Sequence, residues 1–436
     1  MDELHPVRLV VEDDLRRSRL TVFFRLLLAI PHLIWFSLWS LAALIVAIVN
    51  WFATLLLGKP PRPIHRFLCA FVRYTVHLTA YLLLVGNPYP GFTGEAGKYP
   101  IDVELPEEPQ AQSRVKTFFR LLLAVPAFLV GGALGGSIGF SFQYALKSGH
   151  GGGRSGFSGP GISGGGILAG VCAFLGWFAS LATGRMPSGL RDAGAYGVGY
   201  GAQVRAYALL LTDRYPNSDP TAILDSVPLP PAHPVRVVGE AHDLRRSRVT
   251  VFFRFALVIP HSIWLELWGY LAAVVSVVNW FATLIMGRPP RWCHGFLSRY
   301  VRYQFHVAAF LSLAANPFPG FTGKEGTYPL DLELPLDPQR QSRWKTLFRL
   351  FLAIPAFFVS IALWVALFIA SVCTWFSSLV TGSAPWGLRN LMVYALRYVA
   401  QSNAYLYLLT AAYPHASPLQ GEDEEPEYQE AGFSAA

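Results

Sequence analysis

The sequence repeats one pattern four times. Residues 15–31 return almost unchanged at 244–260, and residues 87–94 return at 316–323 with the same offset, so the chain contains a duplication. Each half is itself double, because a Ser-Arg pair, an aromatic residue, an arginine and a proline recur in the same order. Such internal periodicity predicts repeated structural units. The four units begin near Ser18, Ser113, Ser247 and Ser342.

The repeat sets the domain boundaries. We assign residues 1–95 to unit 1, 96–218 to unit 2, 219–324 to unit 3, 325–415 to unit 4, and 416–436 to an acidic tail that is expected to be disordered. Unit 2 departs from the others because extra residues surround a glycine-rich stretch at 147–166. A glycine-rich coil cannot pair its backbone groups in hydrocarbon, so this stretch is expected to reach water or a protein-lined cavity.

The composition indicates a membrane protein. Charged residues make up 14% of the chain and hydrophobic residues 53%, whereas a typical soluble domain has about 25% charged residues. The mean hydropathy is +0.37. The formal net charge is +8 although the tail alone carries six acidic residues, and this positive charge is expected to meet anionic lipid headgroups. No basic run is interleaved with aromatic residues on a polar segment, so nucleic acid is not an expected partner.

Unit 1 shows how each unit is expected to lie in lipid. A short amphipathic helix over residues 18–32 should lie at the interface, with a kink or turn at Pro31, and an uncharged helix over 33–57 is long enough to cross a bilayer. A second apolar helix follows over 67–86, so each unit forms a hairpin. Four hairpins predict an all-α membrane protein with about eight spans. Five arginines at the starts of units are expected to extend to the headgroups, namely Arg19, Arg25, Arg120, Arg254 and Arg349.

The topology leaves two alternatives open. The hairpins could enter one leaflet and return, or all three helices of a unit could cross and invert neighbouring units as in transporters. In the eight-span arrangement the ends of every hairpin face one side, and a modest excess of Arg and Lys assigns that side to the cytoplasm. We therefore expect a multi-pass protein of the bacterial inner membrane with cytoplasmic termini. The acidic start of the chain argues against a secretory signal.

Short alternating segments precede the helices of each unit. Residues 5–11 resemble 233–239, and residues 99–106 resemble 328–335. Alternating β-branched and polar residues bounded by proline predict short strands, which could form a small sheet on the cytoplasmic side. The alternative is that these segments are extended linkers.

The second long helix of each unit carries a polar stripe. Polar residues recur every four positions, which places them on one helix face. The stripe could form an intramembrane site for lipid headgroups or an anion, or it could hold helices together through hydrogen bonds. Its members are Arg73, His77 and Tyr81 in unit 1, Arg302 and His306 in unit 3, and Arg397, Gln401 and Tyr405 in unit 4. Glu266, an isolated acid in the first long helix of unit 3, could pair with one of these arginines or lie at the interface.

The unit pattern resembles one known family. Ser-Arg, Phe-Phe-Arg and Pro, then Asn-Trp-Phe and Gly-[Lys/Arg]-Pro-Pro, then Arg-Tyr and a closing Tyr-Pro resemble the bacterial DUF4389 family over about residues 5–415. The resemblance implies an integral membrane protein of unknown function and carries over no catalytic residue. Unit 2 departs from the pattern because Gly199 stands at the arginine position.

The sequence contains little that predicts catalysis. It has no HExxH, no Walker loop and no dinucleotide-binding glycine motif after a strand, and its four cysteines form no CxxC pair. We therefore predict no catalytic, cofactor-binding or metal-binding residue. The sequence favours a non-enzymatic membrane scaffold that organises lipids or a protein partner. The alternative is a transporter or lipid-handling protein that uses the polar stripe.

Overall fold

The computed structural model describes residues 5–135, 140–141, 161–162, 166–239 and 244–421. The helices are α1 (Arg19–Phe23), α2 (Arg25–Leu28), α3 (Ile30–Leu57), α4 (Arg62–Leu82), α5 (Arg114–Phe118), α6 (Arg120–Leu134), α7 (Ile167–Thr183), α8 (Ser188–Ala208), α9 (Pro220–Ile223), α10 (Arg248–Phe252), α11 (Arg254–Met286), α12 (Arg291–Leu311), α13 (Arg343–Leu347), α14 (Arg349–Thr381) and α15 (Trp386–Leu406). The strands are β1 (Arg8–Val11), β2 (Ile101–Glu104), β3 (Phe140–Ser141), β4 (Gly161–Ile162), β5 (Leu224–Asp225), β6 (Arg236–Val238) and β7 (Asp331–Glu333).

The chain is mostly helical, and three helices within the described residues are long and apolar enough to cross a membrane. These are α3, α11 and α14, whereas α6 and α7 are apolar but shorter. All five belong to the first long segment of a unit. The second helices α4, α8, α12 and α15 are not among the candidates within the described residues, so the prediction of eight spans is not confirmed. Their polar stripes lower their hydropathy, and they lie in the protein interior.

The expected break occurs next to Pro31, where Ala29 separates α2 from α3, but not at the equivalent prolines of units 3 and 4. Helices α11 and α14 continue through Pro260 and Pro355, and the breaks occur earlier, at Phe253 and Phe348. Long apolar helices tolerate an internal proline when neighbouring groups satisfy the freed backbone carbonyl. The short first helix of each unit therefore ends before the arginine, and only unit 1 has a further break beside its proline among the described residues.

The helices and strands form three layers. We call α3, the pair α6 and α7, α11 and α14 the outer helices, and we call α4, α8, α12 and α15 the inner helices. Each inner helix packs on an outer helix of its own unit and contacts a strand as well. The outer helices bury a narrow stripe of residues and expose apolar side chains over the rest of their surface.

The four predicted strands form, but they belong to two sheets rather than one. Strand β1 pairs antiparallel with β2, placing Arg8 opposite Glu104, and it pairs in parallel with the short strand β5. Strand β6 pairs antiparallel with β7 in the other half. Strands β3 and β4 pair within the insertion of unit 2. Of the predicted glycine-rich stretch, residues 147–160 and 163–165 lie outside the described residues, as do residues 422–436 of the predicted tail.

The units are joined in reciprocal pairs. Trp51 of unit 1 donates its indole N–H to Thr117 O of unit 2 over 2.9 Å, and Trp177 of unit 2 donates to Val22 O of unit 1 over 3.1 Å. Units 3 and 4 repeat both bonds through Trp280 and Trp375. A single unit therefore lacks partners for its own indole donors, and the building block is a pair of units.

The insertion interrupts the outer helix of unit 2 near its middle. Helix α6 ends just before Gly135, which has φ +91°, and α7 begins just after Gly166. A Cβ added to Gly135 would lie 2.7 Å from Gly166 N, so the two attachment points are in close contact. Both glycines correspond in the repeat to Trp364, in the middle of α14.

Candidate functional site

The polar stripe of unit 1 binds a strand. Arg73 and His77 on α4 both approach Asp102 on β2, with Arg73 Nε 3.2 Å and His77 Nε2 3.1 Å from Asp102 Oδ1. Asp102 also accepts hydrogen bonds from the backbone N–H of Gly97 and of Val103. The three side chains are at most 17% exposed. The stripe therefore fixes the strand layer to the middle of the inner helix.

Unit 3 repeats this arrangement with one addition. His306 Nε2 lies 2.7 Å and Arg302 Nε 3.5 Å from Asp331 Oδ1, and Arg302 Nη2 also contacts Glu325 over 3.1 Å. Burial by itself raises the pKa of Asp331, but the hydrogen bonds from His306 and from the backbone N–H groups of Leu332 and Gly326 outweigh it. The pKa of Asp331 therefore lies below its usual value.

We expect Asp331→Asn to reduce the acid sensitivity of the protein. The pKa of Asp331 is lower in the folded than in the unfolded chain, so its carboxylate stabilises the fold above its unfolded pKa of about 4. That stabilisation is lost as the pH falls through the lower pKa of the folded state. At pH 7 the variant should unfold at a lower temperature than the wild type. Between pH 5 and 3 its unfolding temperature should decrease less than that of the wild type. Thermal unfolding in detergent across this range would contradict the assignment if both proteins lost stability equally on acidification.

Units 2 and 4 use glutamine at the histidine position. Gln203 Nε2 donates to Val7 O over 2.9 Å, and Gln401 Nε2 donates to Val235 O over 3.1 Å. Arg397 donates to Ser417 O over 2.6 Å. The arginine position of unit 2 is occupied by Gly199, and there is no room for a side chain, since a Cβ there would clash with Ile223. The close approach of α9 explains why unit 2 departs from the pattern.

Four of the five arginines expected at lipid headgroups are buried instead. Each stacks on an aromatic ring of the inner helix in its own unit, with the guanidinium carbon 3.6–4.4 Å from the ring centroid. All four are 2% exposed or less. The pairs are Arg25 with Tyr81, Arg120 with Tyr207, Arg254 with Phe310, and Arg349 with Tyr405. Tyr81 and Tyr405 of the predicted stripe thus stack on arginines of their own units.

Three of these arginines cap the ends of the inner helices, whereas Arg120 pairs with Asp213 over 3.0 Å. Arg25 Nη1 donates to Tyr81 O over 2.5 Å and to Gly86 O over 3.1 Å, and Arg349 Nε donates to Tyr405 O over 2.7 Å. The last carbonyls of a helix lack partners within it and carry partial negative charge. Each of the three arginines donates to one carbonyl in the last turn of an inner helix and to another carbonyl just beyond that helix. The carbonyls at a helix end need hydrogen-bond donors, and hydropathy alone does not reveal this requirement. It explains why these arginine side chains are buried.

The two remaining predicted residues lie on the surface. Arg19 is exposed, and its guanidinium donates to Ala182 O at the end of α7 over 2.9 Å. Glu266 is exposed on α11, and no ion pair between it and an arginine occurs in the described part of the chain. The pairing that we considered for Glu266 is therefore not observed. No group of three or more His, Cys, Asp or Glu residues suited to a metal ion occurs among the described residues.

The structure also contains two clefts that the sequence did not predict. The larger, about 1010 Å³, lies between α6 of unit 2 and α14 of unit 4, and Arg214 and Tyr215 line it. The second, about 1000 Å³, lies between α7 of unit 2 and α14, and Tyr413 and His415 line it. We call them the Arg214 cleft and the His415 cleft. They occupy equivalent positions in the two halves, because Tyr215-Pro216 and Tyr413-Pro414 end their units.

Comparison with known proteins identifies the family. No curated protein and no solved structure matches the chain significantly. The profile of the domain of unknown function DUF4389 matches residues 19–93, 162–218, 248–322 and 343–417, which together cover more than half of the chain. The four matches follow the four repeats. The chain therefore belongs to the DUF4389 family.

Proposed function

We propose that this protein is a non-enzymatic membrane scaffold whose outer helices lie within one leaflet. The inner helices and the strands would face the water on the same side of the membrane. The proposal follows the alternative in which the hairpins enter the bilayer and return. One observation carries it, namely that a single polar, non-helical segment contacts both ends of an outer helix.

In unit 1 this segment is residues 87–112. Near the start of α3, Trp35 Nε1 donates to Phe92 O over 2.9 Å, and just beyond its end Gln112 N donates to Gly58 O over 2.8 Å. Between these contacts the segment exposes Glu95, Lys98, Glu104, Glu107 and Glu108. If α3 crossed the bilayer, this charged segment would cross beside it. Exposed irregular backbone does not occur in hydrocarbon, which supports a helix that lies along the membrane.

Unit 3 repeats the contacts. Trp264 Nε1 donates to Phe321 O over 3.0 Å, and Gln341 N donates to Gly287 O over 2.9 Å. The intervening residues include exposed Lys324 and Glu325. In unit 2, the glycine-rich insertion is attached near the middle of the outer helix, a point that would lie at the centre of the bilayer if that helix crossed it.

The length and the exposed apolar surface of the outer helices suit helices that lie along the membrane, immersed in lipid over their whole length. Helix α11 has 33 residues, or about 50 Å, whereas the hydrocarbon core is about 30 Å thick. Apolar side chains are exposed along nearly all of it, from Phe255 to Met286. Helices α3 and α14 have the same character. Burying this surface in acyl chains would provide the main free energy of membrane binding.

The contacts of the polar stripe favour a scaffold over a transporter. Arg73, His77, Arg302 and His306 pair with acidic residues on β2 and β7, and Gln401 donates to a carbonyl next to β6. These contacts use the groups that would otherwise line a path for a polar solute. The anionic leaflet of the bacterial inner membrane that faces the cytoplasm suits the net charge of +8.

Single-cysteine accessibility tests this topology. In a cysteine-free background, Glu95→Cys reports the start of α3 and Lys59→Cys reports its end, and both positions are exposed. Lys324→Cys and Arg288→Cys are the equivalent pair in unit 3. We expect all four to react with an impermeant maleimide from one side only, in inverted vesicles but not in intact cells. Labelling of Glu95→Cys and Lys59→Cys from opposite sides would refute the proposal and restore a spanning α3.

A further inference from the structure

Two arginines face each other where the start of unit 1 meets the end of α7. An antiparallel bridge pairs Arg16 with Arg185. Two backbone hydrogen bonds of 2.9 Å flank this bridge, from Arg17 N to Gly184 O and from Met186 N to Leu15 O. Opposite residues that are flanked in this way have Cα atoms about 4.5 Å apart and side chains on the same face. The backbone therefore holds the two arginine side chains next to each other.

This arrangement places two positive charges together without an acidic partner. Both arginines are exposed, and neither forms an ion pair with any residue that the structure describes. The carboxylate of Asp14 accepts a hydrogen bond from the backbone N–H of Arg16 over 3.0 Å. Like charges directly opposite each other across a bridge destabilise the pair. A bound anion would turn this repulsion into attraction.

A third arginine is anchored at the same helix end. Arg19 Nη2 donates to Ala182 O in the last turn of α7 over 2.9 Å, three residues before Arg185. A guanidinium group has five N–H donors, and this contact uses one of them. We call Arg16, Arg19 and Arg185 the Arg185 cluster. With the carboxylate of Asp14, the cluster has a formal charge of +2.

The Arg185 cluster borders the apolar outer surface. Leu20 and Phe23 lie next to Arg19 on α1 and are 70% and 60% exposed. Phe178 is also exposed on α7, one turn before Ala182. The cluster therefore lies at the rim of the surface that we propose to be immersed in lipid, where the headgroups of the leaflet would meet it.

The second half of the chain repeats the joint with one arginine fewer. Arg245 forms the same bridge with Ser383, which stands in the place of Arg185. Arg248 Nη2 donates to Val380 O over 3.0 Å, as Arg19 does to Ala182 O. The protein thus contains its own comparison for the contribution of Arg185.

The joints at the starts of units 2 and 4 differ in their backbone. Pro60 and Pro289 stand there in the place of Met186. A proline has no N–H and cannot donate the second flanking bond. Among the described residues, the isolated bridges therefore occur only at the joints of units 1 and 3.

We propose that the Arg185 cluster binds a phospholipid of the surrounding leaflet whose headgroup is a phosphomonoester. Such a group has a charge of about −1.5 to −2 at pH 7, which matches the charge of the cluster. Guanidinium groups bind phosphate oxygens through paired hydrogen bonds. The acyl chains would lie along Leu20, Phe23 and Phe178, which a water-soluble phosphate would leave uncovered. This inference rests on the proposed immersion of the outer helices.

The test counts bound lipids in the full-length protein. Purified protein in a mild non-ionic detergent is titrated with phosphatidic acid, or with phosphatidylcholine of the same acyl chains, and native mass spectrometry resolves each bound lipid. Arg185→Ser should bind one phosphatidic acid fewer than the wild type, because loss of one charged donor lowers the affinity of its site about tenfold or more. Ser383→Arg should bind one more. Binding of phosphatidylcholine should be the same in all three proteins.

Arg62→Ser is the matched control for the loss of an exposed arginine. Arg62 pairs with Glu108 over 3.1 Å at the start of α4, so its charge is already compensated. This variant should bind as many phosphatidic acid molecules as the wild type. Thermal unfolding confirms that each variant is folded. Arg185→Ser introduces the residue that the second half has at this position, and Ser383→Arg provides the test if Arg185→Ser does not fold.

Two outcomes would overturn the inference. One is that folded Arg185→Ser binds as many phosphatidic acid molecules as the wild type or, if it does not fold, that Ser383→Arg binds no additional one. The other is that glycerol 3-phosphate, the same headgroup without acyl chains, displaces the lipid at equal concentration, because the cluster would then be a simple anion site. Retention of the lipid supports the inference.

The cysteine labelling described above separates this inference from the proposed function. One-sided labelling together with unchanged lipid counts in Arg185→Ser would refute the lipid site alone. Labelling of the two ends of α3 from opposite sides would refute the proposed function, whichever lipid the protein binds.

Discussion

Arg349→Ala is expected to lower the free energy of unfolding by about 3–6 kcal/mol, because two buried hydrogen bonds from a charged donor are lost, at about 1.5–3 kcal/mol each. Arg349 is 2% exposed and donates to Tyr405 O over 2.7 Å and to Thr410 O over 2.5 Å. Its loss leaves these acceptors buried without this donor and removes the stacking on the Tyr405 ring. Unfolding by sodium dodecyl sulfate in mixed micelles measures the difference.

Arg343→Ala is the matched control. Arg343 begins the same unit, is exposed, and makes one hydrogen bond to Ile285 O over 2.9 Å. We expect a change of about 1 kcal/mol or less, because an exposed bond competes with water. If Arg343→Ala destabilised the protein as much as Arg349→Ala, the distinction between buried capping arginines and exposed ones would be wrong.

The double variant Ile45→Asp and Val274→Asp is expected to weaken membrane attachment, so that alkaline extraction releases more of it than of the wild type. The two residues occupy equivalent positions on α3 and α11 and are 58% and 64% exposed. A charge at the centre of the bilayer costs about 2.5–3.5 kcal/mol on insertion scales. That value is an upper limit for each site in a helix that lies closer to the headgroups. The measured quantity is the fraction that resists alkaline extraction.

Leu336→Asp is the control for this experiment. Leu336 is 84% exposed, but it follows β7 in the strand layer rather than lying on an outer helix. The proposed orientation places it in water, where a new carboxylate carries no penalty. Full membrane attachment of Leu336→Asp is therefore expected. Equal release of both variants would show that the strand layer also contacts lipid.

The polar stripe shows which features of the candidate site can be predicted from the sequence. The spacing of Arg73 and His77 showed that they share one helix face, and both do approach the same carboxylate. The partner, Asp102, lies in a segment that the pattern identified only as a short strand. A four-residue period fixes the direction of side chains on a helix, but it contains no information on which distant segment packs there.

The buried arginines illustrate the opposite case. Arg25 and its equivalents stand among apolar residues close to a proline, and that pattern is typical of an interfacial helix. Arg25, Arg254 and Arg349 donate to carbonyls at or just beyond the end of a helix that lies 56 to 61 residues later in the chain, such as Tyr81 O and Gly86 O. Local hydropathy cannot predict that the carbonyls at the end of one segment will be satisfied by an arginine of another segment.

The sequence by itself determined the repeats, the family, the helical class and the apolar character of the outer helices. These properties depend on the composition and on patterns that recur along the chain, and both can be read directly from the sequence. Only the tertiary structure decided the reciprocal pairing of units, the two separate sheets and the two clefts. It also brought residues 87–112 against both ends of α3. These features depend on contacts between residues far apart in sequence. Whether two distant segments pack and form hydrogen bonds depends on both of them, so neither segment predicts the contact by itself.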